Sequence, residues 1–227
     1  MISHKLGRYF IFKVFCDARE PEGGWTLIAR FSNKDDGNWM EDNGTWWYDR
    51  EEAYGNTLDP SDNADMISEA FWLQQGSEFK ITKSDDPTHT ALLTTKGNCL
   101  AGSTFRTKAK SYGVFRGTAH WATDECLGKC SVEYGGSYTT VKGFGQSQCD
   151  GVIQTREYIG FWCDYDVGDG AVLMIGGGGP DCSRADHGIG LTEENMPAFE
   201  GTAKEADFGD NAQTALEVAY ALNLWVR

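Results

Sequence analysis

Seven cysteines are spread along this chain, and they restrict its fold more than any other feature of the sequence. Disulfides form in oxidising compartments and are rare in the cytosol, so the cysteine content favours a secreted, disulfide-bonded protein. Because the count is odd, one cysteine has no partner within the chain. Cys126, Cys130 and Cys149 are close enough for a zinc site, but their spacing is not a set of C-x-x-C pairs, and we expect disulfides. The seven are Cys16, Cys99, Cys126, Cys130, Cys149, Cys163 and Cys182.

The chain is long enough to bury the core of one large domain. Of its 227 residues, 40% are hydrophobic and 13% are aromatic, which is enough apolar surface to offset the entropy lost on folding. We therefore predict one domain over residues 1–227, with an N-terminal hairpin at 1–30 and a main body at 31–227. The ligand loops are expected within residues 160–210 of that body.

The formal charge of −14 restricts the partners that the chain can bind. No run of Lys or Arg offers the basic surface that follows a phosphate backbone, so we expect no nucleic-acid partner. The acidic residues cluster in Asp-rich loops, where carboxylates repel one another unless a cation lies between them. These loops predict calcium, although an acidic surface that serves only solubility would have the same composition.

No segment of the sequence is suited to span a membrane. Every apolar stretch is shorter than the ~20 residues that a transmembrane helix needs. No small-residue cleavage site follows the apolar run in residues 1–15, so we expect a strand there and expect any signal peptide to precede Met1. Asn-Gly-Thr at 43–45 is an acceptor sequence for N-glycosylation and agrees with a secreted glycoprotein.

Residue patterns predict an α+β fold with a mostly antiparallel sheet. Two short helices are expected, one over Ser61–Trp72 and one from Ser103 to a stop at Gly113. Residues 32–60 follow neither the helical nor the strand period, and we expect a long ordered loop there. Strands are expected where apolar residues alternate or run together, and the first two form a hairpin. They are predicted at 9–15, 25–30, 78–82, 90–95, 158–163, 171–175 and 216–227, the last of them half-buried.

The start of the chain resembles the opening of fibrinogen-related domains. In that family an aromatic residue, Cys and Asp are followed by Gly-Gly-Trp-Thr, and here Phe-Cys-Asp at 15–17 is followed by Gly-Gly-Trp-Thr at 23–26. Glu-Ala-Phe-Trp-Leu at 69–73 resembles the Glu-Phe-Trp-Leu segment of the same family. The resemblance implies a fibrinogen C-terminal-like domain with a twisted sheet, few short helices and long loops tied by calcium.

Three further segments resemble intelectins, the lectin branch of these domains. They are Asp-Gly-Asn-Trp at 36–39, Ile-Gly-Gly-Gly-Gly at 175–179 and Leu-Asn-Leu-Trp-Val-Arg at 222–227. The resemblance covers roughly the whole chain, but residues 83–155 match only in general character. It implies a calcium-dependent lectin that recognises exposed glycans or extracellular glycoproteins. Weak sugar sites gain from multivalency, so we expect a homo-oligomer or a part of a larger multidomain chain.

The resemblance also implies a disulfide arrangement. In this family the cysteine of the Cys-Asp motif pairs upstream of the domain, which makes Cys16 the cysteine without a partner. Cys163 and Cys182 flank the four-glycine turn, and a bond between them would fasten a ligand loop. The other four cysteines would then pair among themselves, with connectivities that the sequence does not distinguish.

A structural calcium ion is implied between two acidic segments. In intelectins an acidic loop after the first long strand meets an Asp-rich segment before a helix, and the matching residues here are Asp35, Asp36 and Asp62. Asn38, backbone carbonyls and water would complete the about six to eight oxygens that calcium takes. Alternatively, the acids before the helix act only as helix caps and turn formers.

A second calcium site is implied around the four-glycine turn, where intelectins bind the vicinal hydroxyls of a sugar. The chain departs from the family here, because Ala-Val-Leu-Met at 171–174, typical of a buried strand, replaces a Glu-His pair. Trp162, Phe199 and Phe208 are candidates for stacking on a sugar, and each would suit the core equally well. The predicted metal ligands are Asp169, Asp181, Asp186 and Glu193, and the predicted ligand-binding residues are Asp186, His187, Glu193, Glu194, Trp162 and Phe208.

Catalytic motifs are absent from the sequence. It contains no G-x-S-x-G, H-E-x-x-H or Walker motif, so we expect no enzyme. Paired carboxylates hydrolyse glycosides in some enzymes, but with 34 acidic residues that pattern has little specificity. Two functions remain: a lectin, supported by the glycine turn and its acids, or an extracellular adhesive or structural module that binds proteins, supported by the missing Glu-His pair.

Overall fold

The computed structural model describes residues 12–20, 23–32, 47–113, 125–136, 157–165, 169–175, 187–190, 206–208 and 220–227. Within these segments eleven strands form one sheet, and two short helices and a 3-10 turn (Trp47–Asp49) accompany it. No helix in the described segments is long and apolar enough to cross a membrane. The helices are α1 (Ala70–Leu73) and α2 (Phe105–Tyr112). The strands are β1 (Cys16–Asp17), β2 (Trp25–Ser32), β3 (Met66–Ile67), β4 (Phe79–Lys83), β5 (Leu93–Thr95), β6 (Glu125–Tyr134), β7 (Tyr158–Tyr165), β8 (Asp169–Ile175), β9 (His187–Ile189), β10 (Ala206–Phe208) and β11 (Ala221–Val226).

The order of strands in the sheet differs from their order in the chain. From one edge to the other it is β1-β2-β11-β4-β5-β6-β7-β8-β9-β10, and β3 pairs with β2 outside this path. Among the described strands, every pairing is antiparallel except that of β9 with β10. The predicted mostly antiparallel sheet with few short helices is therefore confirmed.

The strand β11 lies in the middle of the best-buried part of the sheet, between β2 and β4. Three aliphatic side chains of β11 face the main hydrophobic core, whereas Trp225 packs with Trp25, Leu27 and Met66 on the other face. Every residue of β11 is buried. The prediction of a half-buried strand is wrong, because the second cluster, with Phe15 packed against it, covers the face that was expected to meet water.

Aromatic contacts fill the main core beside the helices. The Trp47 ring lies edge to face with Phe31 at 4.9 Å and with Phe71 at 5.1 Å between ring centroids. Phe105 of α2 meets Phe79 of β4 in the same way at 5.2 Å. Such pairs contribute about 0.5–1.5 kcal/mol each beyond the area that they bury, and they fix both helices to the sheet.

The helix predicted over Ser61–Trp72 is wrong for most of its length. Only α1 is helical, and Met66–Ile67 forms β3 against β2. Asp59 Oδ1 accepts hydrogen bonds from the Ser61 N–H at 2.9 Å and from the Ser61 hydroxyl at 2.6 Å. Local bonds of this kind offer the backbone an alternative to the helix, so an Asp-rich segment forms turns. Of the loop predicted at 32–60, the described residues 47–60 contain the 3-10 turn and a single bridge from Tyr54 to Ile67.

The second predicted helix is confirmed as α2, with its start moved slightly along the chain. Thr104 takes the capping position predicted for Ser103, and its Oγ1 accepts a hydrogen bond from the Thr107 N–H at 3.1 Å. The helix ends at Gly113, as predicted. Phe105 and Ala109 are buried on the face that meets the core.

Besides β3, which lies inside the predicted helix, three strands were not predicted, and the first strand was placed too early. Exposed and buried residues alternate along β6, but its inward positions are Cys126, Gly128 and Cys130, which give no apolar pattern. The short strands β9 and β10 have too few residues to show a period. Residues 12–15 are not a strand, yet β1 pairs with β2 and confirms the predicted hairpin; residues 9–11 lie outside the described segments.

Two disulfides tie the sheet, and they correct one predicted pairing. Cys99 bonds to Cys130, and Cys126 bonds to Cys163. Cys163 therefore does not pair with Cys182, because the register of β6 and β7 places it directly opposite Cys126. The disulfide prediction for Cys126 and Cys130 is confirmed against the zinc alternative. Cys16 is free and exposed, as predicted, whereas Cys149 and Cys182 lie outside the described residues.

A glycine makes room for the disulfide between β6 and β7. A Cβ atom added at Gly160 would overlap the sulfur atoms of both Cys126 and Cys163. Any side chain at this position must therefore displace the disulfide or the strand. At Gly24, by contrast, an added Cβ would lie 3.5 Å from the nearest atom, the carbonyl oxygen of Asp17, which is ordinary contact.

We predict that Gly160→Ala lowers the free energy of unfolding by about 2–4 kcal/mol, the usual contribution of a native disulfide. Denaturant titration measures it. The control Gly24→Ala is expected to change the free energy by less than about 1 kcal/mol. Equal effects of the two variants would show that Gly160 is not constrained by the sulfur atoms.

Non-reducing proteolysis with mass mapping should recover the two linked peptide pairs of the described cysteines. One pair contains Cys99 and Cys130, and the other contains Cys126 and Cys163. Cys16 should react with a thiol reagent in the folded protein because it is exposed and unbonded. A peptide that links Cys163 to any other cysteine would contradict the register of β6 and β7.

Candidate functional site

The acidic segment before α1 wraps around a buried guanidinium group. Arg30 projects from β2, and its side chain is fully buried. Its Nε donates a hydrogen bond to the carbonyl oxygen of Ala64 at 2.6 Å, and its Nη1 donates to that of Asp59 at 2.6 Å. Longer bonds of 3.4 Å reach the carbonyl oxygen of Asn56. A buried charge requires such partners, and here the backbone of the loop supplies them.

Asp62 provides the carboxylate that faces this guanidinium. Its Oδ2 lies 3.5 Å from Nη2 of Arg30, and 38% of the Asp62 side chain is exposed. Burial lowers the pKa of Arg30, while Asp62 and its acidic neighbours raise it. Because arginine stays protonated in proteins, the loop encloses a permanent positive charge.

Further hydrogen bonds hold the same loop to the ends of two strands. Asp65 Oδ1 accepts a bond from the Ser32 N–H at 2.7 Å, and the Ser32 hydroxyl donates to Asn63 Oδ1 at 2.9 Å. Across the sheet, Asn223 Nδ2 donates to the carbonyl oxygen of Pro60 at 2.7 Å. The position of the acidic loop is therefore set by β2 and β11 and not by the loop alone.

Of the residues predicted for the structural calcium site, Asp62 lies in this cluster. Asp35, Asp36 and Asn38 lie outside the described residues. Asp59 acts as a turn former, and its hydrogen bonds from Ser61 lower the pKa of its carboxyl group. In the described part of the chain, no three His, Cys, Asp or Glu side chains are placed to share a metal ion.

Among the described residues, the charges of this cluster do not balance. The carboxylates of Asp59, Asp62 and Asp65 all act on Arg30, so three negative charges against one positive charge leave −2. In addition, Asn223 Oδ1 is buried and accepts no hydrogen bond within the described segments. Excess negative charge and an unpaired oxygen are features that suit a hard cation.

The predicted sugar site is split between the two ends of β8. Asp169 is the first residue of β8 and pairs with Tyr165. His187 is the first residue of β9 and pairs with Ile175 at the far end of β8. A strand rises about 3.3 Å per residue, so the seven residues of β8 hold Asp169 and His187 roughly 20 Å apart. These two residues therefore do not meet in one site, contrary to the prediction.

Trp162 belongs to the core and not to a ligand surface. It is fully buried, its indole N–H donates to the carbonyl oxygen of Ala109 at 2.9 Å, and its ring meets Tyr48 at 5.4 Å. The prediction that it stacks on a sugar is therefore wrong. Its backbone φ of 50° is left-handed, which lets Trp162 face the same core as its neighbour Phe161.

The remaining predicted residues fall into two groups. Ala171 to Met174 are buried in β8, which confirms that this stretch is a buried strand. Phe208 is the last residue of β10 and pairs with Ile189. The others lie outside the described residues: Asp181, Asp186, Glu193, Glu194 and Phe199.

The sequence reading missed the role of Arg30. Its signal was one charged residue inside the otherwise apolar strand that begins at Trp25. A charge within a buried strand must be compensated nearby, and the Asp-rich segment was the available source of carboxylates and carbonyls. The need to compensate a buried charge would have predicted the contact between Arg30 and the loop before α1.

Arg30→Met should lower the free energy of unfolding by about 3–5 kcal/mol, because it leaves buried carbonyl groups and the Asp62 charge without a partner. Denaturant titration would measure the loss. A matched control is Lys96→Met, since Lys96 and Glu133 form an exposed ion pair at 2.7 Å, a kind that contributes about 0–1 kcal/mol. If Arg30→Met cost no more than the control, the loop would not depend on the guanidinium.

Comparison with known proteins adds no relative. Neither the scan against protein-family models nor the search of curated proteins found a match to this chain. Its function is therefore inferred from the residues and contacts described above.

Proposed function

We propose that this chain is a secreted, calcium-dependent carbohydrate-binding domain of the fibrinogen-related and intelectin type, without catalytic activity. The observation that carries the proposal is that four of the segments that resemble this family, at 15–17, 23–26, 69–73 and 222–227, lie together in space. The Cys-Asp segment in β1 and the closing segment in β11 both pair with β2, which begins with the Trp-Thr of the family motif. The Glu-Ala-Phe-Trp-Leu segment follows Ser68, whose N–H donates to the carbonyl oxygen of Ile28 in β2 at 2.9 Å.

This arrangement supports the resemblance because the segments are distant in sequence. Chance matches to short motifs have no reason to converge on one strand. Motifs that belong to one fold do converge on one strand, because the residues of each motif are those that pack against the neighbouring motif. The unit around β2 therefore supports the fibrinogen-related assignment more strongly than any motif alone.

The disulfides support secretion. Four cysteines of the described segments form two bonds. Bonds of this kind persist in oxidising compartments and are reduced in the cytosol. They also hold the β6–β7 part of the sheet, next to β8, and the loop that follows β8 is one of the proposed ligand loops.

A calcium ion is supported by the electrostatics of the acidic loop. The residual charge of −2 around Arg30 favours a cation nearby. Asp62, which is partly exposed, is the described residue proposed to hold it, together with Asp35 and Asp36. The ion would neutralise the carboxylates and fix the loop by coordination to oxygen.

Sugar recognition is proposed for the loops that follow β8 and β9. Asp181, Asp186, Glu193 and Glu194 are the acids proposed to bind calcium or sugar there. Each site would bind weakly, so recognition of glycans or glycoproteins would depend on several copies in a homo-oligomer or a multidomain chain.

A second candidate is an extracellular adhesive module that binds protein partners without sugar. Three observations favour it over the lectin. The stretch from Ala171 to Met174 is buried where intelectins have a Glu-His pair, Trp162 is in the core, and Asp169 lies far from His187. The adhesive module would use the same disulfide-bonded sheet.

We predict that calcium raises the melting midpoint by about 5–10 °C at a calcium concentration about 100 times Kd, because the ion binds only the folded form. Calorimetry with calcium and with chelator measures the shift. Asp62→Asn should remove most of it. Asp85→Asn is the control, because Asp85 is exposed and pairs with Lys83 outside the acidic loop. A midpoint that is the same with calcium and with chelator would exclude the calcium site.

A glycan array with and without chelator separates the two candidate functions. For the lectin, we expect hits that need calcium and that are lost in Asp186→Ala and Glu193→Ala but kept in Asp85→Ala. The adhesive module predicts no glycan hits under either condition, even if calcium still raises the melting midpoint.

A further inference from the structure

A buried histidine joins the N-terminal segment to the body of the domain. The His89 ring lies 5.8 Å from the Phe15 ring and 5.4 Å from the Trp225 ring, measured between centroids. Phe15 also meets Trp225 edge to face at 5.8 Å, so the three rings form one cluster. Only 9% of His89 is exposed.

Phe15 belongs to residues 12–20, which we name the N-terminal strap. Few backbone hydrogen bonds hold this strap in place. The Phe15 N–H donates to the carbonyl oxygen of Thr57 at 3.1 Å, and the Leu27 N–H donates to that of Phe15 at 3.0 Å. The two residues of β1 add a short pairing with β2. Phe12 and Val14 of the strap also pack against the main core, and Glu20 bonds to Lys80 at 2.8 Å. The ring cluster is therefore one of several side-chain contacts that keep the strap docked.

Within the described residues, no group is placed to accept a proton from the buried Nδ1 of His89. Its Nδ1 is buried and has no hydrogen-bond partner within the described residues. In the neutral ring this atom is either an unpaired acceptor or an unpaired neutral donor, depending on the tautomer. In the protonated ring it is a buried, charged donor without a partner. The second case is the more costly one, because desolvating an unpaired charge costs more than desolvating an unpaired neutral group.

The carboxylates nearest to His89 are already engaged. On the strap, Asp17 accepts bonds at 2.8 Å from both Nε and Nη2 of Arg19, and these hold the pKa of Asp17 at about 2. On the turn before His89, Asp86 accepts bonds from the Thr88 and Thr90 N–H groups, each at 2.9 Å. Neither carboxylate is free to pair with an imidazolium.

Two further charged groups of the described residues, near the ring cluster and the Trp25 ring, are paired as well. Lys80 of β4 lies 5.8 Å from the Trp225 ring and bonds to Glu20 of the strap at 2.8 Å. Arg227, beyond the end of β11, lies over Trp25 and contacts Glu78 at 2.8 Å. Protonation of His89 would therefore add a positive charge that acts against the positive charge of Arg19.

We propose that the N-terminal strap is a pH-sensitive latch, which is docked while His89 is neutral and released when His89 is protonated. Release would separate Phe15 from His89 and Trp225 and would free the backbone of β1. The exposed thiol of Cys16 lies on this strap, so its position would change with pH. The latch does not depend on the proposed carbohydrate function.

The direction of the pH dependence follows from the setting of the ring. Burial and the Arg19 charge lower the pKa of His89, against the smaller opposing effects of Asp17 and Asp86. When the strap is released, the pKa of His89 returns toward its ordinary value of about 6.5. Docking is therefore fully favoured above about pH 6.5 and is lost progressively as the pH falls below it.

Amide hydrogen exchange at about pH 7.5 and about pH 5.0, corrected for the intrinsic pH dependence of exchange, tests the latch. In the wild-type protein, protection of the strap amides and of the Leu27 N–H should fall severalfold at the lower pH, because protonation of His89 favours the released strap. Protection of β11 should not change. Loss of protection in β11 together with the strap would mean general acid unfolding and would overturn the proposal.

Two variants that cannot titrate complete the test. His89→Phe keeps a ring between Phe15 and Trp225, so strap protection should be equal at the two pH values. His89→Asn tolerates the left-handed backbone at this position, where φ is 52°, and it should loosen the strap equally at both pH values. Protection of β11 reports whether each variant is folded. A fall in strap protection at low pH in either folded variant, or its absence in the wild-type protein, would refute the latch.

Discussion

The buried charge of Arg30 determines how the acidic loop before α1 is arranged. A guanidinium in the middle of a sheet loses its hydration, and only a close set of oxygens replaces it. The loop before α1 provides these oxygens mainly from its backbone, at Asp59 and Ala64, so its path is fixed whatever its side chains bind. The carboxylate of Asp62 is then left at the edge of the cluster, partly in water. A rigid backbone with an outward carboxylate is a suitable support for a cation, since little ordering is needed on binding.

The two faces of the sheet have different chemistry. One face meets an apolar core of aliphatic and aromatic side chains. On the other face, Lys80 is buried and lies 4.8 Å from the Trp25 ring, and Arg227 lies 4.5 Å from the same ring. Glu20 accepts bonds from both Lys80 and the Trp25 indole. Cations next to aromatic rings stabilise such a face, and this stabilisation depends on the charge of the groups involved. Conditions that alter charge should therefore act on this second face before they affect the core.

The fold was predictable wherever local sequence and long-range packing agree. The hairpin at β1 and β2, the helix α2 and the strands β4, β7 and β8 all have apolar periods or caps that match their final environment. The helix over Ser61–Trp72 failed because Asp side chains form local bonds that no period reveals, and β6 was missed because its inward positions are Cys and Gly. The pairing of Cys163 depends on the register of two strands, which the spacing of cysteines does not contain. The candidate site was predicted by proximity in sequence, whereas β8 separates Asp169 from His187 along its whole length.

The position of β11 has a consequence for how the protein is made. The strands β2 and β4 form early during synthesis, but each has β11 as its neighbour, and β11 comes from the other end of the chain. Until the ribosome has released β11, both strands expose unpaired backbone groups and a wide apolar face. Contacts of such high sequence separation slow folding, because a long loop must close before they form. The nascent chain is therefore expected to need protection from aggregation during translation, and a stop codon before β11 would leave the middle of the sheet open.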